Sequence, residues 1–187
     1  MILQNPKALF LDRDGVINRD AGYVSKAEEI EFTEGIFDFT RIAVSLGYRI
    51  VVVTNQSGIG RGYSTEAEFH ELMEWMQQKF SSEGCSIDGI YFSPFHPTDG
   101  VGKYRQESEM RKPKPGMFFQ AIHDFSLDVS KCVLVGDRLS DIEAGRAAGV
   151  MHLFLLSATT SVTRGLDFYV VQNFRVISDF LRGLKEE

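Results

Sequence analysis

The chain alternates between short, almost unbroken apolar runs and longer stretches in which apolar residues recur every three or four positions. Ala8-Leu-Phe-Leu11, Ile50-Val-Val-Val53 and Val133-Leu-Val135 each stop abruptly at polar residues: Asp12, Thr54 and Gly136-Asp137. Strands covered on both faces lose the polar alternation of half-exposed ones, so these runs predict buried parallel strands. Ile87 to Phe92, Met151 to Leu156 and Phe168 to Val171 are further strand candidates.

Helical spacing fills the intervals. Ile36, Phe39, Ile42, Ala43 and Leu46 share one face. Thr65 with Glu68 predicts a capping box opening a helix whose stripe is Phe69, Leu72, Met73, Met76 and Phe80. Pro115 suits a first turn ahead of Met117, Phe118, Ala121, Ile122 and Phe125. Ser140 to Ala148 reads as a short helix closed by Gly149, and Ile177, Phe180, Leu181 and Leu184 as a terminal amphipathic helix. The alternation predicts the α/β class: a single domain over residues 1–187, built as a three-layer sandwich with a central parallel sheet of Rossmann-like type. Right-handed crossovers in such a fold set every strand's C-terminal end along one edge, where ligands bind. Pro94 to Lys114 is the one long irregular stretch, and its length points to a functional loop.

Composition narrows the function. With 187 residues, 43% of them hydrophobic, the chain suffices for one sizeable core. The net charge is −6 and the basic residues are scattered, which argues against nucleic acid or an anionic membrane as partner. Cys85 and Cys132 lie far apart and outside any CxxC spacing, so they read as reduced core thiols. No stretch approaches the roughly 20 apolar residues of a membrane span, and the N-terminus lacks an export signal. The expectation is a cytoplasmic monomer.

The polar strand ends carry the candidate chemistry. Asp12-Arg-Asp14-Gly follows the first strand; alternation turns Arg13 elsewhere and lets Asp14 turn back toward Asp12. Two carboxyls suit phosphoryl transfer, one as nucleophile and one as proton donor and acceptor. Thr54-Asn55-Gln56-Ser57-Gly58 offers a hydroxyl and backbone N–H groups for phosphate oxygens. Asp137 brings a third acid to the same edge, whereas Asp141 reads as local structure or support behind the site. A phosphate dianion beside Asp12 and Asp137 is repelled by on the order of 4 kcal/mol per unit pair at about 4 Å and an effective dielectric near 20. An all-oxygen set of Asp12, Asp137, a backbone carbonyl and waters around Mg²⁺ resolves that repulsion. Arg111-Lys112-Pro-Lys114 supplies cations for the phosphoryl oxygens. Each motif alone is weak, since acidic turns and surface lysines are common.

Asp12-x-Asp14, Thr54-Asn55, a lysine at 112 and Gly136-Asp137-x-x-x-Asp141, in that order, resemble the haloacid dehalogenase superfamily of phosphatases. Leu11-Asp-Arg-Asp-Gly-Val-Ile-Asn18, Gly22-Tyr-Val24, Val53 to Gly62, Arg111 to Met117 and Val135-Gly-Asp137 tighten the resemblance to its heptose-bisphosphate phosphatases, over roughly residues 7 to 157. That resemblance implies Asp12 as nucleophile, Asp14 as general acid and base, and Thr54 and Lys112 as phosphoryl stabilisers. It implies Mg²⁺ on Asp12, Asp137 and the backbone carbonyl of Asp14. It also implies a small phosphorylated sugar bound by Arg13, Asp20, Ala21, Gly22, Tyr23, Asn55, Gln56, Ser57, Arg111 and Arg138. Family members commonly carry a structural zinc on cysteines and histidine of the long loop; the matching positions here are Ser93, Phe95, Ser108 and Met110, so no structural zinc is expected. Packing of Phe95, Tyr104 and Met110 is the expected substitute. Too few residues separate Asp14 from Thr54 for an inserted cap domain, so the site is expected to be open. The competing readings are a histidinol-phosphate phosphatase, a phosphoacceptor receiver domain, whose acids are normally adjacent rather than spaced as Asp12-x-Asp14, and a non-catalytic binding protein on this scaffold.

Overall fold

A computed structural model describes residues 6–158 and 167–184. Six parallel strands form one sheet in the order β3-β2-β1-β4-β5-β6: β1 Lys7–Leu11, β2 Tyr48–Asn55, β3 Gly89–Ser93, β4 Val133–Gly136, β5 His152–Leu156 and β6 Tyr169–Val171. The helices are α1 Ile36–Ser45, the single turn α2 Ser57–Gly60, α3 Glu66–Ser82, α4 Gly116–Phe125, α5 Leu139–Ala147 and α6 Phe174–Gly183.

Alternate residues of each strand feed opposite faces of the sheet, which makes the sandwich three layers deep. Leu9, Leu11, Ile50, Val52, Val133 and Val135 pack with the apolar stripes of α1, α3 and α6. Ala8, Phe10, Val51, Val53 and Leu134 pack with those of α4 and α5. Burial on both sides explains why these strands carry no polar alternation.

The predicted elements are present with boundaries moved by a residue or more. Thr65 caps α3 as expected: its hydroxyl accepts from Glu68 N at 3.1 Å, and the Glu68 carboxylate accepts from Thr65 N at 2.7 Å. Pro115 sits at the N-cap of α4 rather than inside its first turn. The third strand begins at Gly89, two residues later than Ile87, because Asp88 is occupied in binding back to the edge of β2: its carboxylate accepts from Ile50 N at 2.8 Å. Between Asp14 and the start of β2 lie only a 3₁₀ turn, Ala27–Glu29, and α1, so no inserted domain covers the sheet edge. Among the described residues, no helix is long and apolar enough to cross a membrane.

Candidate active site

The strand order reverses direction about β1, with β2 on one side and β4 on the other, the place where α/β sheets open a crevice for ligands. Leu11 pairs with both Val52 and Val135, so the residues just beyond these three strands emerge at nearly the same height. Asp12 extends the ladder by donating from its N–H to Val135 O at 3.1 Å. The chain then turns sharply: Arg13 O accepts from Ile17 N at 2.8 Å and Asn18 N at 3.1 Å, and Gly15 adopts φ +83°.

Asp12 is buried and accepts on one oxygen only. Arg13 N donates to Oδ1 at 2.7 Å, and Lys112 Nζ lies 3.1 Å from the same atom. Among the described residues Oδ2 has no hydrogen-bond donor. Burial raises the Asp12 pKa to about 6 against the pull of Lys112, with Asp141 and Asp14 raising it further.

Asp14 is held from three sides. Arg13 donates to both of its oxygens at 2.8 to 3.1 Å, Asn18 Nδ2 to Oδ1 at 3.0 Å, and Gln56 Nε2 to Oδ2 at 3.0 Å. This corrects the expectation for Arg13. Its side chain neither points elsewhere nor reaches the pocket: it is 1% exposed, grips Asp14 and donates to Val24 O at 3.0 Å. The long, flexible side chain folds its guanidinium back onto the adjacent carboxylate, where the fork geometry suits it. Gln56 also donates to Thr54 Oγ1 at 2.9 Å, so the Thr54 hydroxyl keeps its own proton to donate onward.

Lys112 is buried, with its ammonium 2.8 Å from Val53 O and 2.7 Å from Asp141 Oδ1 in addition to Asp12. Burial alone would depress it, but Asp12 and Asp141 outweigh that and hold its pKa above the ordinary lysine value. Asp141 is thus no bystander: 1% exposed, it braces Lys112 and accepts from Arg138 N at 2.9 Å to start α5. Asp12, Asp137 and Asp141 each offer a carboxylate oxygen within 4.8 Å of the others. Burial, then Asp12 and Asp141, push Asp137 up to about 7, and its Oδ1 is buried without a hydrogen-bond partner. A Cβ on Gly15 would collide with Asp137 Oδ2, so glycine leaves the space beside that carboxylate open. Crowded oxygens, unmet acceptor capacity and protected space fit a hard divalent cation.

Above these groups opens a pocket of about 530 Å³. Asp20, Gly22, Tyr23, Asn55, Gln56, Ser57, Arg111 and Arg138 line it with Asp12, Asp14, Thr54 and Lys112. Arg138 Nη2 reaches Asp20 Oδ2 at 2.8 Å, joining two rim loops 118 residues apart in sequence. Ala21 sits exposed on the rim loop outside the lining, its methyl carrying no group to turn inward. The Asn55 carboxamide is already committed to the Lys112 backbone, which limits what it offers a ligand.

Arg61 and His96 also line the pocket and were missed from sequence. Arg61 lies within a recognised motif, seven residues past Thr54, yet nothing in the pattern said that it would turn back. His96 belongs to the irregular loop, where no periodicity exists to place it. That loop is fixed largely by polar contacts. Phe95 and Tyr104 do approach, with ring centroids 6.2 Å apart, but Met110 packs instead on the opposite side of the sheet with the α4 cluster.

The HAD-hydrolase-like family profile matches residues 109–182. A D-glycero-α-D-manno-heptose-1,7-bisphosphate 7-phosphatase of Burkholderia mallei is 51% identical over 95% of this chain and 94% of its own. A D-glycero-β-D-manno-heptose-1,7-bisphosphate 7-phosphatase of Vibrio cholerae is 41% identical over 96% of this chain and 98% of its own. Among solved structures, the D,D-heptose 1,7-bisphosphate phosphatase of B. bronchiseptica, complexed with magnesium and phosphate, aligns with a TM-score of 0.78 at 26% identity, covering 97% of this chain and 99% of that one.

Proposed function

This chain belongs to the haloacid dehalogenase-like hydrolases, among the heptose-1,7-bisphosphate 7-phosphatases, and we propose that it removes the 7-phosphate of D-glycero-D-manno-heptose 1,7-bisphosphate. The observation that carries the reading is the meeting of Asp12, Asp14, Thr54, Lys112 and Asp137 at the ends of three adjacent strands, beneath a pocket with a basic wall. Asp12 Oδ2, which receives no hydrogen bond among the described residues, attacks phosphorus; the bond from phosphorus to the sugar oxygen breaks, and that oxygen takes a proton from Asp14. Asp14 next takes a proton from water, the resulting hydroxide attacks the acyl phosphate, and the bond to Asp12 breaks to release inorganic phosphate. Arg13, Asn18 and Gln56 keep Asp14 aimed through both half-reactions. Thr54 donates its hydroxyl proton to a phosphoryl oxygen, while the fixed charge of Lys112 offsets the charge that gathers there. Asp12, Asp137 and the Asp14 carbonyl would hold Mg²⁺, which supplies charge neutralisation of the phosphoryl group when bound.

Arg111 and Arg138 would meet the rest of the substrate, with Asp20, Gly22, Tyr23 and Ser57 around the sugar. In this reading the enzyme acts as a monomer, needs no structural zinc, and works in the cytoplasm, where its two buried, unpaired cysteines stay reduced. The decisive experiment measures phosphate release from both anomers of heptose 1,7-bisphosphate beside histidinol phosphate and fructose 1,6-bisphosphate, with Mg²⁺ or EDTA. The expected result is Mg²⁺-dependent preference for one heptose anomer, abolished in Asp12→Asn. Weak, unselective turnover would overturn the heptose reading, and activity surviving in Asp12→Asn would overturn the mechanism.

A further inference from the structure

The 94–111 loop carries Arg111 to the pocket and runs through irregular backbone, so something must hold it. Between Pro94 and Tyr104 its polar anchors lie on the segment that follows β2. Val101 N donates to Gly60 O at 2.8 Å, and a Cβ on Gly60 would collide with Pro94 O, so the loop rests directly on the α2 backbone. Arg61 then spans the contact: its Nη2 lies 2.7 Å from Asp99 Oδ2 and 3.1 Å from His96 Nε2. Burial, then Arg111 and Arg61, holds the His96 pKa below the usual value. Within the loop, His96 N donates to Tyr104 O at 3.0 Å, and the Tyr104 hydroxyl donates to Glu66 Oε1 at 2.5 Å, tying the far end to α3. The neighbouring carbonyl, Phe95 O, accepts from Arg111 Nη1 at 3.0 Å. An unbroken path of contacts thus leads from Asp99 through Arg61 and His96 to the peptide that aims Arg111.

Resting on the function proposed above, we propose that Asp99 and Arg61 form a polar clasp that positions Arg111 for the part of the substrate distant from the transferring phosphoryl group. Arg61 is the side chain that meets both His96 and Asp99 of the loop; a lysine there has one compact ammonium and does not reproduce a fork that meets a carboxylate and an imidazole together. Asp99 is the right place to probe, because it is half-exposed and does not line the pocket. Removing its carboxylate frees Arg61 without touching any group beside the reacting atoms.

The test is a double-mutant cycle on steady-state constants for heptose 1,7-bisphosphate, with p-nitrophenyl phosphate as a probe too small to reach Arg111. Asp99→Ala is expected to raise KM for the bisphosphate about tenfold with kcat within about twofold, to leave turnover of p-nitrophenyl phosphate unchanged, and to be largely rescued by Asp99→Glu. In an Arg111→Ala background the same substitution should change KM by less than about twofold, because the path it acts through is gone. An unchanged KM in Asp99→Ala, full additivity with Arg111→Ala, or equal losses on both substrates would overturn the clasp. If the wild type hydrolyses p-nitrophenyl phosphate but not heptose bisphosphate, the substrate reading fails instead, and amide exchange decides the clasp. Asp99→Ala should then lower protection of the His96 and Val101 amides at least about tenfold while the β1 amides keep theirs; equal protection would overturn it.

Discussion

The side chain of Asn55 and the backbone of Lys112, 57 residues apart, hold each other through two hydrogen bonds: Asn55 Nδ2 donates to Lys112 O and Lys112 N donates to Asn55 Oδ1, both at 3.0 Å. The pair fastens the end of the 94–111 loop to the end of β2 and delivers the Lys112 ammonium beneath Asp12. Asn55→Ala should lower kcat about 100-fold while KM moves less than about threefold, because it misplaces a group that acts on the transition state. Asn55→Asp keeps the acceptor and turns the donor into a second acceptor facing Lys112 O, so it should be nearly as damaging. Steady-state kinetics on both variants check this; a rise in KM alone would make Asn55 a substrate contact.

Arg13 yields a prediction of the same kind. Its guanidinium is nearly inaccessible and serves Asp14, so Arg13→Lys should fail to restore function: one ammonium does not bridge both Asp14 oxygens and Val24 O. Arg13→Met leaves the Asp14 carboxylate without its strongest partner, and a kcat loss of about 100-fold with unchanged KM is expected. Truncation of so large a buried side chain to alanine should also cost about 3 kcal/mol, a melting-point fall of roughly 10 °C for a chain this size. A KM effect without a kcat effect would return Arg13 to the substrate.

What could be read from sequence and what could not divides along physical lines. Ile50 to Val53 declared itself a central strand because burial on both faces removes polar alternation, and Asp12, Thr54 and Asp137 declared themselves because each interrupts such a run at its C-terminal end. Arg13 was misread because strand alternation predicts Cα–Cβ direction, and a long side chain can fold back over several rotatable bonds. Asp141 read as local structure or support behind the site; that the group it supports is Lys112 depends on a loop arriving from 29 residues earlier, and no local pattern encodes that. Arg61 and His96 escaped for the same reason, since they meet only when α2 and the irregular loop are brought together. The loop itself was expected to close by aromatic packing, but packing accounts only for Phe95 and Tyr104, and the remaining anchors are polar.

Burial, with Asp141 and Asp14 adding to it against Lys112, raises Asp12 to about 6, and burial, with Asp12 and Asp141 adding to it, raises Asp137 to about 7 in the metal-free protein. A carboxyl raised on folding favours the protonated native state, so these two groups stabilise the metal-free fold below pH 4 and lose that contribution as pH rises from about 4 through 7. A divalent cation at this site must displace their protons, so its binding strengthens over the same interval. The rise in melting temperature produced by about 10 mM Mg²⁺ should therefore be small at pH 5 and several degrees at pH 8. Differential scanning fluorimetry at the two pH values measures it. An equal shift at both would mean that neither carboxyl is protonated in the metal-free state, or that Mg²⁺ binds elsewhere.

Gly15 and Gly47 share a left-handed backbone, with φ of +83° and +84°, but differ in what surrounds them. A methyl at Gly47 meets nothing within 4 Å, whereas at Gly15 it strikes the Asp137 carboxylate. Both alanine substitutions carry the same backbone cost, about 1 kcal/mol or a few degrees of melting temperature, and Gly15→Ala adds the cost of the collision. Only Gly15→Ala displaces a carboxylate from the acidic cluster, so it alone should weaken the Mg²⁺ dependence of phosphate release, raising the half-saturating concentration at least about tenfold. Gly47→Ala supplies the control for backbone strain, being placed between α1 and β2 away from the pocket. Titrating Mg²⁺ against turnover in the two variants separates the effects. Matching Mg²⁺ curves would mean that Asp137 does not hold the ion, and the acidic cluster would then have to be read as a brace for Lys112 alone.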